Sequence, residues 1–493
     1  MRADVDVDVV VAGAGPTGLA LAGELALAGV RVLVLERRLQ PHRESRALTL
    51  HPRSVELLDQ RGLVEAARAA GPRVPSWHFA GLPTELDFTA LDSRHAYTLF
   101  IPQARTEALL ADWATGLGVT VRRGCSVVDL TQDEDGVTVW FEHAGRARTG
   151  VRAAFAVGCD GGRGAVRTLA GIDFPGNAAT FSAMLGDFAE CADGALERAR
   201  EHGVLAVALE GGTTRFVVMS PARMRVPASE PVTEEEFRQA LVEVTGTDLG
   251  VRQPRWLSRF GNATRVAARY REGRVLLAGD AAHIHFPAGG QGLNVGLQDA
   301  VNLGWKLAAQ VRGWAPAWLL DSYHRERHPV GLAIAENTRV QTLLLQLTLS
   351  EEFRAEAGVL RGFLDELLGL PAVNELLAAR VSALGVRYQG TGLAGARMPD
   401  VRLTAAGGEP TRVAELLRDG RLLLLDRGGE ATVPEWADRV RGVAVTAWED
   451  HPELAGISAV LVRPDGHVAW AGESGEWHEA LAAWAGAPSG VLR

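Results

Sequence analysis

A chain of 493 residues that is 47% hydrophobic has material for roughly two to four domains with substantial cores. Its formal charge of -9, with no run of Lys or Arg, argues against nucleic acid as a partner. Three cysteines, Cys125, Cys159 and Cys191, stand singly without a CxxC pair, which speaks against a disulfide framework and for a reducing cytoplasmic setting.

The first predicted element is an apolar, β-branched strand from Val5 to Ala12, broken by Gly13-Ala14-Gly15-Pro16-Thr17-Gly18 and followed by an Ala- and Leu-rich helix from Leu19 to Ala28. A signal peptide or membrane helix does not fit. Asp4, Asp6 and Asp8 occupy the flank where a signal is basic, the glycines interrupt the stretch and Glu24 lies inside it. In a strand–turn–helix unit, Gly13 allows the tight turn, Gly15 lets backbone N–H groups approach a pyrophosphate, and Gly18 lets the helix pack closely on the sheet. Val30 to Leu35 forms the next strand, and Glu36 at its end is placed to accept a ribose 2′-hydroxyl, which favours FAD or NAD over NADP in this site.

Strands are then expected at 119–123, 126–130 and 136–142, the last two joined by the acidic turn Asp133-Glu134-Asp135-Gly136. The apolar strand Phe155 to Gly158 leads into a second glycine motif, Cys159-Asp160-Gly161-Gly162-Arg163-Gly164, and a helix near Ala165. Taken alone, this Asp-Gly segment also reads as a plain strand-to-helix loop with a structural aspartate. From about 175 to 270 the pattern changes to short alternating strands, such as Thr213 to Ser220, and a helix over Thr233–Thr245 with Thr233 as N-cap and Glu236 three residues on. This stretch reads as an inserted substrate domain. In it Thr213, Arg215, Val217 and Met219 share one face, so Arg215 either orients an enolate or phenolate or belongs to a structural ion pair.

A buried strand over Arg274–Ala278 then runs into a third motif, Gly279-Asp280 followed by Pro287-Ala288-Gly289-Gly290-Gln291-Gly292-Leu293-Asn294. A helix from about 291 to 312 carries Leu293, Leu297, Val301, Trp305 and Ala308 at helical spacing. His283 and His285 form an HxH pair, but no neighbouring carboxylate or cysteine set completes a zinc site, so no metal is expected. Helices span 317–385, Gly390 to Pro399 reads as a linker, and strands follow at 422–425, 442–446, 458–463 and 467–471. Pro464-Asp465-Gly466 makes the hairpin turn between the last two.

These three glycine motifs, in this order over about 280 residues, resemble the FAD-dependent aromatic hydroxylases, class A flavoprotein monooxygenases of the p-hydroxybenzoate hydroxylase fold. Leu257–Arg265 (LSRFGNATR) and Asp321–Arg327 (DSYHRER) place the chain closest to the actinomycete aromatic polyketide hydroxylases and the rifampicin monooxygenases. The resemblance implies an α/β fold: a Rossmann-like FAD-binding domain at 1–174 and 271–390, a β-sheet substrate domain at 175–270 with parts of 72–102, and a thioredoxin-like C-terminal domain at 391–493. That last domain lacks CxxC, and the absence of cysteine beyond Cys191 leaves it a structural or dimerisation role.

For the cofactor, the resemblance implies FAD contacts from Gly13, Gly15, Pro16, Thr17, Gly18, Glu36, Arg37, Arg46, Gln103, Val127, Asp160, Asp280, Pro287, Gly290, Gly292, Leu293 and Asn294. Asp280 would meet the ribityl chain. The N-terminus of the third-motif helix would face the flavin pyrimidine edge, where its dipole and free N–H groups stabilise the charge of the reduced ring. No second GxGxxG segment exists for a nicotinamide coenzyme, so NADPH or NADH is expected as a transient co-substrate. The implied reaction is NAD(P)H reduction of FAD, addition of O2 at flavin C4a and oxygen transfer to an electron-rich polycyclic aromatic. Arg215, Met219, Phe286 and Pro287 are the candidates for orienting the substrate, with Met184 as a further pocket residue. A catalytic acid or base is not identified. Baeyer–Villiger or antibiotic-inactivating oxygenation, and a noncatalytic drug-binding flavoprotein, remain alternatives. A monomer or homodimer without membrane contact is expected.

Overall fold

The computed structural model describes residues 6–42, 44–143, 147–428 and 431–488, so the expected strand start at Val5 and the final residues 489–493 lie outside the described residues. The chain is a mixed α/β protein built around an eight-stranded sheet. Its central strand β1 (Val7–Ala12) pairs in parallel with Thr149–Gly158 on one side and with β2 (Val32–Glu36) on the other. The sheet continues through Thr120–Arg123 at one end and Val275–Leu277 at the other. Val9, Val11, Val34, Val157 and Leu276 are fully buried. That burial fits the unbroken apolar runs of parallel strands covered on both faces. Helix α1 (Pro16–Leu27) and the helix Gly292–Arg312 cover one face.

The inserted region forms a separate four-stranded antiparallel sheet in the order Leu205–Ala208, Thr214–Val218, Ser182–Glu190, Arg252–Gly261. The helix Glu234–Thr245 packs on it through Phe237, Ala240 and Leu241. As expected, Thr233 caps that helix: its hydroxyl accepts from the Glu236 N–H at 3.1 Å. Met184 is placed differently. It is 2% exposed and packs beneath the helix with Phe188 and Val218, so it cannot line a pocket on the opposite face. The strand alternates, and Met184 falls on the other parity from Ala183.

The C-terminal region holds a six-stranded sheet that includes two strands not anticipated, Arg402–Ala405 and Pro410–Arg412. Both are short and polar, and give little periodic signal. The Pro464-Asp465-Gly466 turn does more than join strands, because it is buried against the sheet-covering helices. Asp465 accepts from Asn302 Nδ2 at 3.0 Å and Trp305 Nε1 at 3.3 Å, and pairs with Arg463. Arg463 in turn donates to Glu326 at 2.8 and 2.7 Å, and Glu326 accepts from Lys306 at 2.6 Å. Glu24, the charge inside the otherwise apolar α1, is held bidentately by Arg61 at 2.6 and 2.7 Å, and Arg61 also donates to the Pro464 carbonyl at 2.9 Å. Among the described residues no helix is long and apolar enough to cross a membrane.

Removing one partner of such a network strands buried charges. Asp465→Ala is expected to destabilise the whole chain by about 3–5 kcal/mol, read as an earlier urea midpoint shared by the flavin-region and C-terminal probes. Early loss of the C-terminal signal alone would show that the hairpin is not coupled to the main sheet.

Candidate functional site

The three glycine motifs meet at the carboxyl ends of β1 and Thr149–Gly158. Gly13 has φ +102, and a Cβ there would stand 2.4 Å from the Cys159 carbonyl oxygen. A Cβ on Gly18 would lie 2.0 Å from the Gly13 carbonyl oxygen. Thr17 Oγ1 is 2.6 Å from the Cβ position of Gly279 and 2.3 Å from that of Gly296, so the Thr17 side chain of the first motif lies directly on the backbone of the third motif and of the helix that follows it. Gly15 is the exception: nothing lies within 4 Å of its Cβ position. It is the N-cap of α1, which has no side-chain cap, Pro16 in its first turn and no acidic residue there. A glycine facing open space at an uncapped helix N-terminus matches what a bound pyrophosphate requires.

Glu36 ends β2, buried to 8% exposure. Its carboxylate accepts from Ala14 N at 2.8 Å and Arg38 N at 2.9 Å, which fixes its orientation and leaves lone pairs for a ribose hydroxyl. Arg37 is exposed beside it, and Val127 lies half-buried in the strand Cys125–Gln132, against the main core. Asp160 turns toward its own helix, with Oδ2 accepting from Val166 N at 3.1 Å and Oδ1 unpartnered. Burial raises its pKa, against the lowering effect of the Val166 N–H bond. Asp280 is exposed in the turn Gly279–Ala281.

The helix Gly292–Arg312 begins with no side-chain cap and no acid in its first turn. Asn294 spends its amide sideways: Oδ1 accepts from His51 N at 2.7 Å, and Nδ2 donates to Gly290 O at 2.9 Å and Thr49 O at 3.2 Å. Gly289 and Gly290 have φ of +72 and +67, a left-handed pair open to glycine at little cost. Pro287 is exposed, Phe286 is buried, and Gly290, Gly292 and Leu293 are half-buried.

Sequence reasoning missed the two residues that hold this loop. The Gly289 carbonyl accepts from His51 Nε2 at 2.8 Å and from Trp77 Nε1 at 3.0 Å. The carbonyl acceptor puts the imidazole proton on Nε2, so Nδ1 accepts from Thr98 Oγ1 at 3.2 Å. Burial, helped by the nearby His78, pushes the His51 pKa down to about 4 against the raising effect of the Gly289 bond. Neither residue lies in a glycine motif or repeats with one. A buried neutral histidine gives no signal in a single sequence.

Gln103 opens the helix Gln103–Gly116 and ties down the loop that carries Arg46. Gln103 Oε1 accepts from Ala47 N at 3.2 Å, and its Nε2 donates to Glu107 at 2.8 Å. The Arg46 side chain is exposed while its carbonyl accepts from Arg215 Nη1 at 3.2 Å. Arg215 is 1% exposed and held bidentately by Asp187, both bonds at 2.7 Å. Of the two readings open for Arg215, the structure supplies the ion pair, and adds a tie from the substrate sheet to the Arg46 backbone. Met219 and Phe286 meet in an apolar cluster with Phe181, Phe260, Met224 and Leu345. The rings of Phe181 and Phe260 lie 5.2 and 5.5 Å from that of Phe286. His283 is bonded to Asp299 at 2.7 Å, and His285 Nδ1 donates to the Phe286 carbonyl at 2.8 Å. The tyrosine hydroxyls Tyr97, Tyr323 and Tyr388 are engaged with His95, the Leu277 carbonyl and Arg327.

Comparison with known proteins agrees with this geometry. A family model described as an FAD-binding domain matches residues 6–338, and one described as the C-terminal domain of aromatic-ring hydroxylases matches 391–488. A rifampicin monooxygenase of Streptomyces venezuelae is 47% identical over 97% of this chain and 99% of its own. The solved anhydrotetracycline hydroxylase of Streptomyces rimosus is 44% identical and superposes with a TM-score of 0.88, over 98% of this chain and all of that one. A structure described as a Diels-Alderase of pyrroindomycin biosynthesis is 40% identical, with a TM-score of 0.84 over 98% of this chain and 100% of its own. The chain belongs to the FAD-dependent aromatic-ring monooxygenases, flavoenzymes that consume NAD(P)H.

Two outcomes are expected. Gly15→Ala meets nothing within the protein, so the apoprotein should keep its unfolding temperature while FAD affinity, read by quenching of flavin fluorescence, falls at least tenfold. Equal FAD affinity would move the pyrophosphate elsewhere. The second concerns acid stability. With a folded pKa near 4, below the ordinary 6.5, His51 stays neutral in the fold while the unfolded chain takes up its proton first. Its contribution is therefore present above pH 6.5 and lost as pH falls toward 4. His467, also brought to about 4 by burial despite its Asp465 contact, adds in the same direction. Thermal unfolding should move down across this window, and His51→Asn should shallow the slope.

Proposed function

We propose that this monooxygenase acts on polycyclic aromatic compounds of the polyketide or antibiotic type, with FAD in the crevice where the three glycine motifs meet. The observation that carries this reading is the joining of an uncapped pair of helix N-termini to an apolar aromatic cluster through a single loop, residues 286–292. Gly13, Gly15, Pro16, Thr17 and Gly18 hold the pyrophosphate, Glu36 and Arg37 the adenosine ribose, and Val127 the adenine side. Asp280 takes the ribityl chain, and Arg46 and Gln103 border the flavin. Pro287, Gly290, Gly292, Leu293 and Asn294 shape the edge of the ring. Asp160 acts as a cap for the helix Ala165–Leu169 and so shapes the cradle from behind.

When bound and reduced by NAD(P)H, FAD supplies the activation of O2 for transfer of one oxygen atom to an electron-rich ring. The protein's share is placement and exclusion of water. Phe286 and Met219 wall the pocket, with Pro287 at its mouth. Arg215, its charge neutralised by Asp187, positions the Arg46 loop rather than pairing with the substrate. The domain limits that fit this assignment are 1–174 with 271–390 for FAD, 175–270 with parts of 72–102 for the substrate, and 391–493 for the C-terminal domain, in a cytoplasmic enzyme.

Anaerobic stopped-flow absorbance of the FAD-loaded protein with NADPH or NADH, with and without a dihydroxyanthraquinone, tests the proposal. Faster flavin reduction in its presence, followed in labelled dioxygen by a product carrying one labelled atom, is expected. A flavin that neither coenzyme reduces, or a product without label, would overturn oxygenation and favour a redox-neutral or binding role on this scaffold.

A further inference from the structure

The helices Ser322–Leu349, Arg354–Leu368 and Pro371–Ser382 connect the flavin region to the C-terminal sheet, and they carry a surface unlike the rest of the molecule. Of the fifteen large apolar side chains that are exposed among the described residues, nine fall between 332 and 376. Val359 is 76% exposed and Phe363 57%, with Val340, Leu343, Phe353 and Leu370 between 45% and 55%. They are not scattered. Val359 and Phe363 stand one turn apart on the second helix, with Leu370 in the turn that follows it, and Leu332, Val340 and Leu343 share one face of the first. The opposite face of the first helix is the one committed to the fold, where Gln341 Oε1 accepts from Ala80 N at 3.1 Å and Leu344 and Leu345 enter apolar clusters. The outward stripes are therefore not spare core.

We propose that this helical face is the contact between two copies of the chain in solution. Nine side chains at about half exposure offer on the order of 800 Å2 of apolar surface, the share each partner brings to a standard interface. A soluble monomer seldom leaves more than a few hundred Å2 of contiguous apolar surface uncovered. The charges around the stripes decide between occupants. Glu336, Glu351, Glu352, Glu356, Glu366 and Glu375 are exposed in this region against Arg339, Arg354 and Arg380, and this acidic excess opposes an anionic lipid surface, which selects for Lys and Arg. A second copy brings both signs, so that arginines of one copy can be set against glutamates of the other in a twofold arrangement. Because the first helix also carries Gln341 against the 286–292 loop, the contact would brace the wall of the site from outside.

Sedimentation of the full-length, FAD-loaded protein over a wide concentration range should show a monomer–dimer equilibrium. Val359→Glu and Phe363→Glu should each raise the dimer dissociation constant more than tenfold without changing the unfolding temperature of the dilute monomer, while Val242→Glu, on the exposed side of the helix Glu234–Thr245, should leave the dissociation constant unchanged. Hydrogen exchange in residues 354–368 of the wild-type protein should slow as the dimer forms, a readout independent of any variant. A protein that stays monomeric, or a dimer indifferent to both substitutions with no protection in 354–368, overturns the proposal. Co-sedimentation of a monomer with phosphatidylserine vesicles overturns it in favour of a membrane surface.

Discussion

Everything in this molecule depends on glycines that let three distant segments close up until backbone, or the Thr17 hydroxyl, stands where a Cβ would be. Gly13 lies against the Cys159 carbonyl, Gly18 against the Gly13 carbonyl, and Thr17 against Gly279 and Gly296, at distances where any Cβ would overlap backbone or hydroxyl oxygen. The contact brings α1 and the helix Gly292–Arg312 together at their N-terminal ends. It thereby concentrates two sets of free N–H groups in one crevice. A single added methyl at Gly18 would separate helix from sheet, whereas one at Gly15 would reach only open space, where the proposed site puts the cofactor phosphates. The two glycines stand three residues apart in one motif: Gly18 serves packing, and Gly15 leaves the helix end open.

The second dependence is electrostatic. Arg463, Asp465, Glu326 and Lys306 are nearly or fully buried, and charges so placed are tolerated only when each has its partner. Burial draws the Lys306 pKa down to about 7, while Glu326, which burial would raise, is brought to about 2 by Arg463 and Lys306. Half of this network comes from the C-terminal region and half from the helices behind the flavin crevice. The C-terminal sheet is thus structurally joined to the rest of the protein, and it contains no cysteine. Glu24, which by sequence alone only marks α1 as no membrane helix, finds its reason here: it anchors Arg61, which reaches the Pro464 carbonyl.

How far the sequence was readable follows from the range of each signal. The glycine motifs, the Thr233 cap and the alternation of Thr213, Arg215, Val217 and Met219 are local, fixed by backbone geometry within a few residues, and all were legible. Partners across the fold were not. Nothing near Arg215 names Asp187, twenty-eight residues earlier, as its counter-ion, and nothing near Gly289 names His51 and Trp77. Met184 was misplaced because a strand read without its register leaves the choice of face open. The strands at 402–405 and 410–412 escaped because three or four residues, mostly polar, are too few to show a period.

The charge state around the 286–292 loop is what the proposed flavin site requires for a ring that gains negative charge. The groups that hold the 286–292 loop, namely His51, Trp77, Asn294 and Thr98, are all neutral, and burial keeps His51 so down to about pH 4. Arg215, a buried cation of the inserted sheet, is neutralised by Asp187. Among the groups that hold the loop, positive potential comes from the helix end and its N–H groups, and the exposed Arg46 side chain is a mobile cation that the proposed site adds at its border. Dipoles held this firmly need no reorganisation when charge appears before them, and in an apolar setting walled by Phe286 and Met219 they act at low screening. A formal cation in the same place would bind an anionic ring in both oxidation states of the cycle more tightly. A fixed dipole distinguishes the reduced from the oxidised ring by the charge that develops, and leaves the loop's geometry unchanged between them.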